Sequence, residues 1–293
     1  MSQRLGALLL ALAGAVAVPG AAADERSALW TVRGERNTVY LFGSIHVLRP
    51  GDVGLPGAAE SAYADAEQLV MEIDLDDPAV ADPIAIAAQM QHSARLPDGQ
   101  SLRAVLGKDY PLIAERTAEA GLDLAALDGF APWFIGTVLL QLEIAKRGFV
   151  AEHGIEQQFA ERAARDRKPI SGLETPAQQF ATLGGLSLAD QKRFLLMTID
   201  DADEADAQLD ALLKAWRTGD TAALARLLSE EFAAFPELYR PLTEDRNRAW
   251  VEQLTPLLDE RDDYLVVVGA LHLVGRNSVV DLLRQRGYAV TQR

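Results

Sequence analysis

Tyr264-Leu265-Val266-Val267-Val268-Gly269-Ala270-Leu271-His272 is the stretch on which the fold of this chain turns. A β-branched apolar run of this length, closed by glycine, reads as a strand covered on both faces. The same design stands near the other end of the chain, in Thr38-Val39-Tyr40-Leu41-Phe42-Gly43-Ser44-Ile45-His46. Each run ends in a Gly-x-x-His frame, and two of only four histidines occupy those frames. The glycine of each frame permits a tight turn or a close backbone approach beside the histidine.

The N-terminal 23 residues stand apart. Arg4 supplies a short positive region, Leu5 to Val18 is apolar, and Ala21-Ala22-Ala23 offers small residues at a cleavage position before Asp24. This pattern predicts a cleavable secretory signal peptide, residues 1–23, with cleavage near Ala23 and a periplasmic or secreted mature protein. No stable membrane insertion is expected after cleavage. Cysteine is absent, which excludes disulfides and thiolate metal sites. The formal net charge of −15 disfavours nucleic acid and anionic membranes as partners. The oligomeric state is not encoded in any of these features.

From residue 24 onward the sequence predicts one α/β domain, residues 24–293, with a helical insertion over about 78–260. Ala28–Arg33 and Thr38–Phe42, joined by Gly34-Glu35-Arg36-Asn37, read as a hairpin. Pro56 to Ala66 reads as a helix with Ala58, Ala59, Ala62 and Tyr63 inward. Gln68 to Asp74 is the next strand, and the strand–helix–strand order points to parallel pairing through a crossover. Apolar residues at helical spacing predict helices over 85–90, 111–120, 132–146 and 155–167. Lys168 to Glu174 is a short strand, after which Thr175-Pro176 caps a helix. Further helices are expected near 187–199, 203–217, 220–230 and 243–259. Thr243 caps the last of these, which puts Arg246 and Asn247 in its first turn. Asp200 to Asp206 is an acidic run that lacks the glycine turn of a calcium loop. Gly275 to Ser278 introduces a helix ended by Gly287, and Tyr288 to Val290 closes the sheet. The expected architecture is a central, mostly parallel sheet flanked by helices.

Four polar residues fall at the carboxyl ends of the expected core strands: His46, Glu72, Glu174 and His272. That edge is where open α/β sheets bind ligands. Two imidazoles with one or two carboxylates make a competent site for a divalent metal, which acidifies a bound water and polarises a carbonyl. A metal-free alternative uses one histidine as general base, oriented by a carboxylate. Glu72 follows an apolar run and therefore needs a partner. Asp74 shares its face in a strand, or continues into solvent. Arg246 is a candidate clamp for a carboxylate or oxyanion. His92 reads as a solvated helix-end residue. His153 and Glu156 are three apart and can face together, but a plain helix N-terminus with an acid near its dipole is the preferred reading.

Gly43-Ser-Ile-His46, Leu69-Val-Met-Glu72, Gly172-Leu-Glu174-Thr, Glu244-Asp-Arg246-Asn247 and Val268-Gly-Ala-Leu-His272, in this order, resemble the TraB/PrgY/GumN/Tiki family, most closely its bacterial GumN-like branch. The resemblance implies a fold related to erythromycin esterase and ChaN. The Tiki members act as metal-dependent proteases in which the two Gly-x-x-His histidines and a glutamate are essential. Carried over, this makes His46, His272 and Glu72 metal ligands, and Glu72, Glu174 and Arg246 catalytic residues. In that scheme Glu174 shuttles or positions a proton and Arg246 steadies developing negative charge. The implied function is a metal-dependent hydrolase of the peptidase type, using manganese, cobalt or zinc on a peptide or protein substrate. Two other readings remain: a non-catalytic metal or haem-iron binding protein on the same fold, and a metal-independent, esterase-like hydrolase with His46 as base.

Overall fold

The computed structural model describes residues 26–201, 205–233 and 235–293. The expected signal peptide, residues 1–23, lies outside the described residues, as does the middle of the 200–206 acidic run.

Among the described residues six strands form a single mixed sheet: β1 (Leu29–Arg33), β2 (Thr38–Ser44), β3 (Gln68–Ile73), β4 (Ile170–Glu174), β5 (Tyr264–Gly269) and β6 (Val290–Gln292), in the order β4-β3-β5-β2-β1-β6. The four strands β4, β3, β5 and β2 run parallel, while β1 is antiparallel to both β2 and β6. All six residues of β5 are buried, as a central strand with helices on both faces requires. The registers Gly43 to Val268 and Ser44 to Gly269 set the two Gly-x-x-His frames side by side. The crossover from β2 to β3 through α1 (Gly57–Asp65) does not place those strands next to each other, because β5, from the far end of the chain, is inserted between them. Strand type and direction are local properties; the order in the sheet is not.

The helices between strands fall into two long insertions. Between β3 and β4 come α2 (Pro83–Ser93), α3 (Leu102–Leu106), α4 (Tyr110–Glu119), α5 (Pro132–Lys146) and α6 (Ile155–Asp166). Between β4 and β5 come α7 (Pro176–Gly184), α8 (Leu188–Asp201), α9 (Ala205–Arg217), α10 (Thr221–Glu231), α11 (Pro236–Tyr239) and α12 (Asp245–Leu257). A final helix, α13 (Val279–Gln285), leads to β6. Thr175 caps α7 through a reciprocal capping box with Gln178.

Two apolar cores result. The larger holds the sheet together with Tyr63, Phe159, Trp216 and Trp250 from the helices around it. The smaller is built by insertion residues such as Leu102, Ile113, Trp133, Ile135, Leu195 and Leu238. One local expectation is corrected; the five-residue helix α3 falls within the expected helical insertion but is too short to show a period of its own. Thr243 caps nothing: it is buried in a π-helical turn, Arg240–Glu244, that joins α11 to α12 without a break. Arg246 and Asn247 therefore project from the middle of a continuous helical rod and not from a solvated first turn.

No helix among the described residues is long and apolar enough to cross a membrane.

The close approach of the two frames depends on Gly43. A Cβ there would lie 2.9 Å from the Ala270 Cα and 3.0 Å from its Cβ, and backbone cannot swing away. Gly43→Ala is expected to destabilise the fold by about 1–3 kcal/mol, read as a lower urea midpoint at unchanged slope. An unaltered midpoint would contradict the approach.

Candidate functional site

Each of the four parallel strands delivers one polar group to the carboxyl edge. Glu72 is the penultimate residue of β3 and is buried. Its Oε1 accepts the Gly269 backbone N–H at 2.8 Å, and its Oε2 accepts from Arg246 Nη2 at 2.7 Å and Gln179 Nε2 at 3.3 Å. Burial alone would raise its pKa. The neighbouring positive groups, His46 and Arg246, together with the Gly269 amide, outweigh burial and bring it down to about 2. Glu72 is therefore held as a carboxylate.

Glu174 ends β4. Its Oε1 accepts from Arg246 Nε at 3.0 Å and Trp250 Nε1 at 2.8 Å, and its Oε2 from Arg246 Nη2 at 3.0 Å. Arg246 is thus clamped between two carboxylates, with its guanidinium 4.7 Å from the Trp250 ring. The proton-shuttle role expected for Glu174 meets an obstacle in this geometry. Both of its oxygens are occupied by fixed donors, so its evident work is to hold Arg246 in place.

The two frame histidines are in unlike states. His272 Nδ1 stands 2.7 Å from Asn247 Oδ1, and the Asn247 amide nitrogen donates to the Asn277 carbonyl. That pairing fixes the proton on Nδ1 and leaves Nε2 as an acceptor, facing Arg246 Nη1 at 3.2 Å. Burial first, and the Arg246 charge second, lower the His272 pKa to about 3, so the ring is neutral; it packs 4.5 Å from Trp250. His46 is the accessible one, with its side chain 59% exposed. Its Nδ1 lies 2.6 Å from Glu156 Oε1, whose negative charge raises its pKa above the ordinary imidazole value. Its Nε2 points back to Glu72 Oε1 at 3.8 Å.

Gly269 completes the geometry. A Cβ on it would sit 3.0 Å from His46 Nε2 and 3.3 Å from Glu72 Oε1. The missing side chain keeps open the place where those two groups converge. The frames are reciprocal: the first glycine makes room for Ala270 of the second frame, and the second makes room for His46 of the first.

Of the residues singled out from sequence, His46, Glu72, Glu174, Arg246 and His272 are brought into one contiguous network. Asp74 is not among them; its carboxylate turns back to the Asp76 amide. His92 is exposed on α2. His153 stays outside the site while Glu156, read as an ordinary helix-start acid, enters it. Ser44, Gln179, Asn247 and Trp250 are further participants that sequence reasoning did not assign. For Glu156 a signal did exist, since a histidine three residues away had already marked the segment.

Among the described residues no group of three His, Cys, Asp or Glu side chains is placed to hold a metal ion. Arg246 engages both Glu72 Oε2 and His272 Nε2, so neither atom is a free donor. His46 Nε2 and Glu72 Oε1 converge without such an obstacle. Two carboxylates, Glu72 and Glu174, flank the Arg246 guanidinium, and a third, Glu156, lies against His46.

An α/β sheet carrying a partly buried acid–imidazole–guanidinium network at its carboxyl edge defines the class of protein. The match to the TraB/PrgY/gumN family spans residues 28–292, and the chain belongs to that family. It is 26% identical over 268 residues to the uncharacterized protein YbaP of Escherichia coli (strain K12), covering 87% of this chain and 90% of that one. It is 24% identical over 335 residues to metalloprotease TIKI2 of Xenopus tropicalis, covering 94% of this chain and 62% of the relative. Similarity to metalloprotease TIKI1 of Homo sapiens is 24% over 325 residues, covering 91% and 62%. No solved structure matches the chain.

The neutral state of His272 has a pH signature. Its folded pKa of about 3 lies below the ordinary 6.5, so acid favours the unfolded chain, which takes up the proton more readily. In metal-free buffer, wild type is expected to lose stability relative to His272→Gln as pH falls below about 6.5 towards 3. A difference curve that stays flat between about pH 7 and 4 contradicts a buried neutral imidazole.

Proposed function

We propose that this protein is a metal-dependent hydrolase that cleaves peptide bonds in a peptide or protein substrate, acting outside the cytoplasm. The observation that carries the reading is the convergence of an accessible imidazole, His46, and an ionised buried carboxylate, Glu72, on a space kept open by Gly269. The kinship with chains named metalloproteases supports the peptide-bond class.

His46 and Glu72 would hold the ion, with His272 as a third donor only after Arg246 releases its Nε2. A bound divalent ion such as manganese, cobalt or zinc would acidify a water and polarise the scissile carbonyl. The chain's own residues do the rest. The Gly269 and Arg246 donors keep Glu72 charged and fixed in direction, so it presents an ionised oxygen to His46 and to the opening over Gly269. Glu174 and Trp250 hold the Arg246 guanidinium beside Glu72, where its charge favours an anionic transition state. The exposed side of His46 is where substrate reaches the site.

A second reading has an observation of its own. The Glu156–His46 pair is built like an acid-oriented general base, and the third metal donor is taken by Arg246. Both features suit a metal-independent hydrolase with His46 as base.

The mature protein, stripped with chelator and assayed on fluorogenic peptide libraries, is expected to be silent and to regain activity with manganese, cobalt or zinc. Glu72→Gln and His46→Ala should each reduce the restored rate at least about 10²-fold. Turnover indifferent to chelator favours the metal-independent reading. Stoichiometric metal binding without turnover overturns both and leaves a binding protein.

A further inference from the structure

We propose that Glu156 is a positioning residue, which locks the His46 ring through Nδ1 so that Nε2 is the nitrogen presented to Glu72 and to the opening over Gly269. Glu156 comes from the first insertion, on the second residue of α6. The helix is docked directly on the frame: the Ile155 N–H donates to the Ile45 carbonyl at 3.1 Å. Phe159 and Ala163 anchor its buried face in the main core. This docking delivers the Glu156 carboxylate to the back of the His46 ring. Oε1 accepts from His46 Nδ1 at 2.6 Å and also from the Ser44 hydroxyl.

Two features separate this from ordinary surface pairing. The Glu156 side chain is only 15% exposed against 59% for His46, so a mostly buried carboxylate serves a mostly exposed ring. Its second oxygen, Oε2, is buried with no hydrogen-bond partner. An orphaned carboxylate oxygen disfavours the folded state, and an exposed imidazole needs no anchor for the fold to form. The contact is therefore better explained by what it does to the ring. The same device recurs at the other frame, where Asn247 from the second insertion tethers His272 at Nδ1 and turns its Nε2 inward. Each insertion supplies one tether to one frame histidine, and the acid is given to the accessible one. A carboxylate acceptor also makes Nε2 a stronger donor of electron density, as outer-shell acids do for imidazole ligands.

The kinetic consequence rests on the hydrolase reading; the structural one does not. The test uses the mature protein with 15N-labelled histidine. Wild type should show a downfield, exchange-protected Nδ1–H resonance for His46. Glu156→Ala should lose it, and Glu156→Gln, whose amide oxygen still accepts, should keep it shifted upfield. Thermal midpoints of both variants should equal or exceed wild type. Hydrolysis by Glu156→Ala should fall roughly 10–100-fold in kcat/KM, with Glu156→Gln between it and wild type. A His46 resonance unmoved in Glu156→Gln overturns the proposal, and so does a large fall in melting temperature for that variant. If wild type hydrolyses nothing, the hydrolase reading fails alone and the resonance still decides the role of Glu156.

Discussion

The ion pair between Glu72 and Arg246 is the interaction on which the site depends. Both side chains are shielded, at 10% and 17% exposure, and they meet at 2.7 Å. Taking two charges out of water is costly, and such a pair adds little net stability compared with apolar residues of the same size. Breaking it is another matter, because an unpaired buried charge is strongly disfavoured. The pair therefore acts as a constraint on geometry. Arg246 can be satisfied only if β3 and β4 bring Glu72 and Glu174 to the same edge and α12 lies across them. Burial and the guanidinium facing its Nε2 together keep His272 neutral.

The sheet makes this constraint possible. Helices on both faces leave the carboxyl edge as the place where polar side chains from distant parts of the chain can meet without crossing the apolar core. β5 is the pivot. It pairs with β2 on one side and β3 on the other, so Gly269 lies between His46 and Glu72. The chain reaches this arrangement by threading its last long strand between two that precede it by some two hundred residues. The insertions are more than coverings, since α6, α7 and α12 supply Glu156, Gln179, Arg246, Asn247 and Trp250.

Much of this was legible in the sequence where the signal is local. Apolar runs closed by glycine marked β2 and β5, a carboxylate after Leu69-Val70-Met71 marked Glu72, and Thr175-Pro176 marked the start of α7. Residues at strand ends are easy to place, because the strand fixes their direction and the sheet edge fixes their height. Residues on helices are harder. The side of Glu156 that matters depends on which way α6 is rotated, and that is set by Phe159 and Ala163 packing against strands far away in sequence. Thr243 looked like a cap because a Thr before two acids does so locally; the π-helical turn that carries α11 into α12 buries it instead. Arg246 was visible as a candidate, but its effect on the metal donors follows from its contact with His272, which no spacing in the sequence encodes.

Glu72 and Arg246 form one electrostatic unit and not two independent polar residues. A double-mutant cycle in urea unfolding, using Glu72→Gln, Arg246→Met and the pair together, measures it directly. Each single change is expected to be destabilising and the double variant to recover part of the loss, with a coupling of about 2 kcal/mol or more. Additivity within about 0.5 kcal/mol would show that the two groups do not depend on each other, and the organisation of the site described above would be wrong.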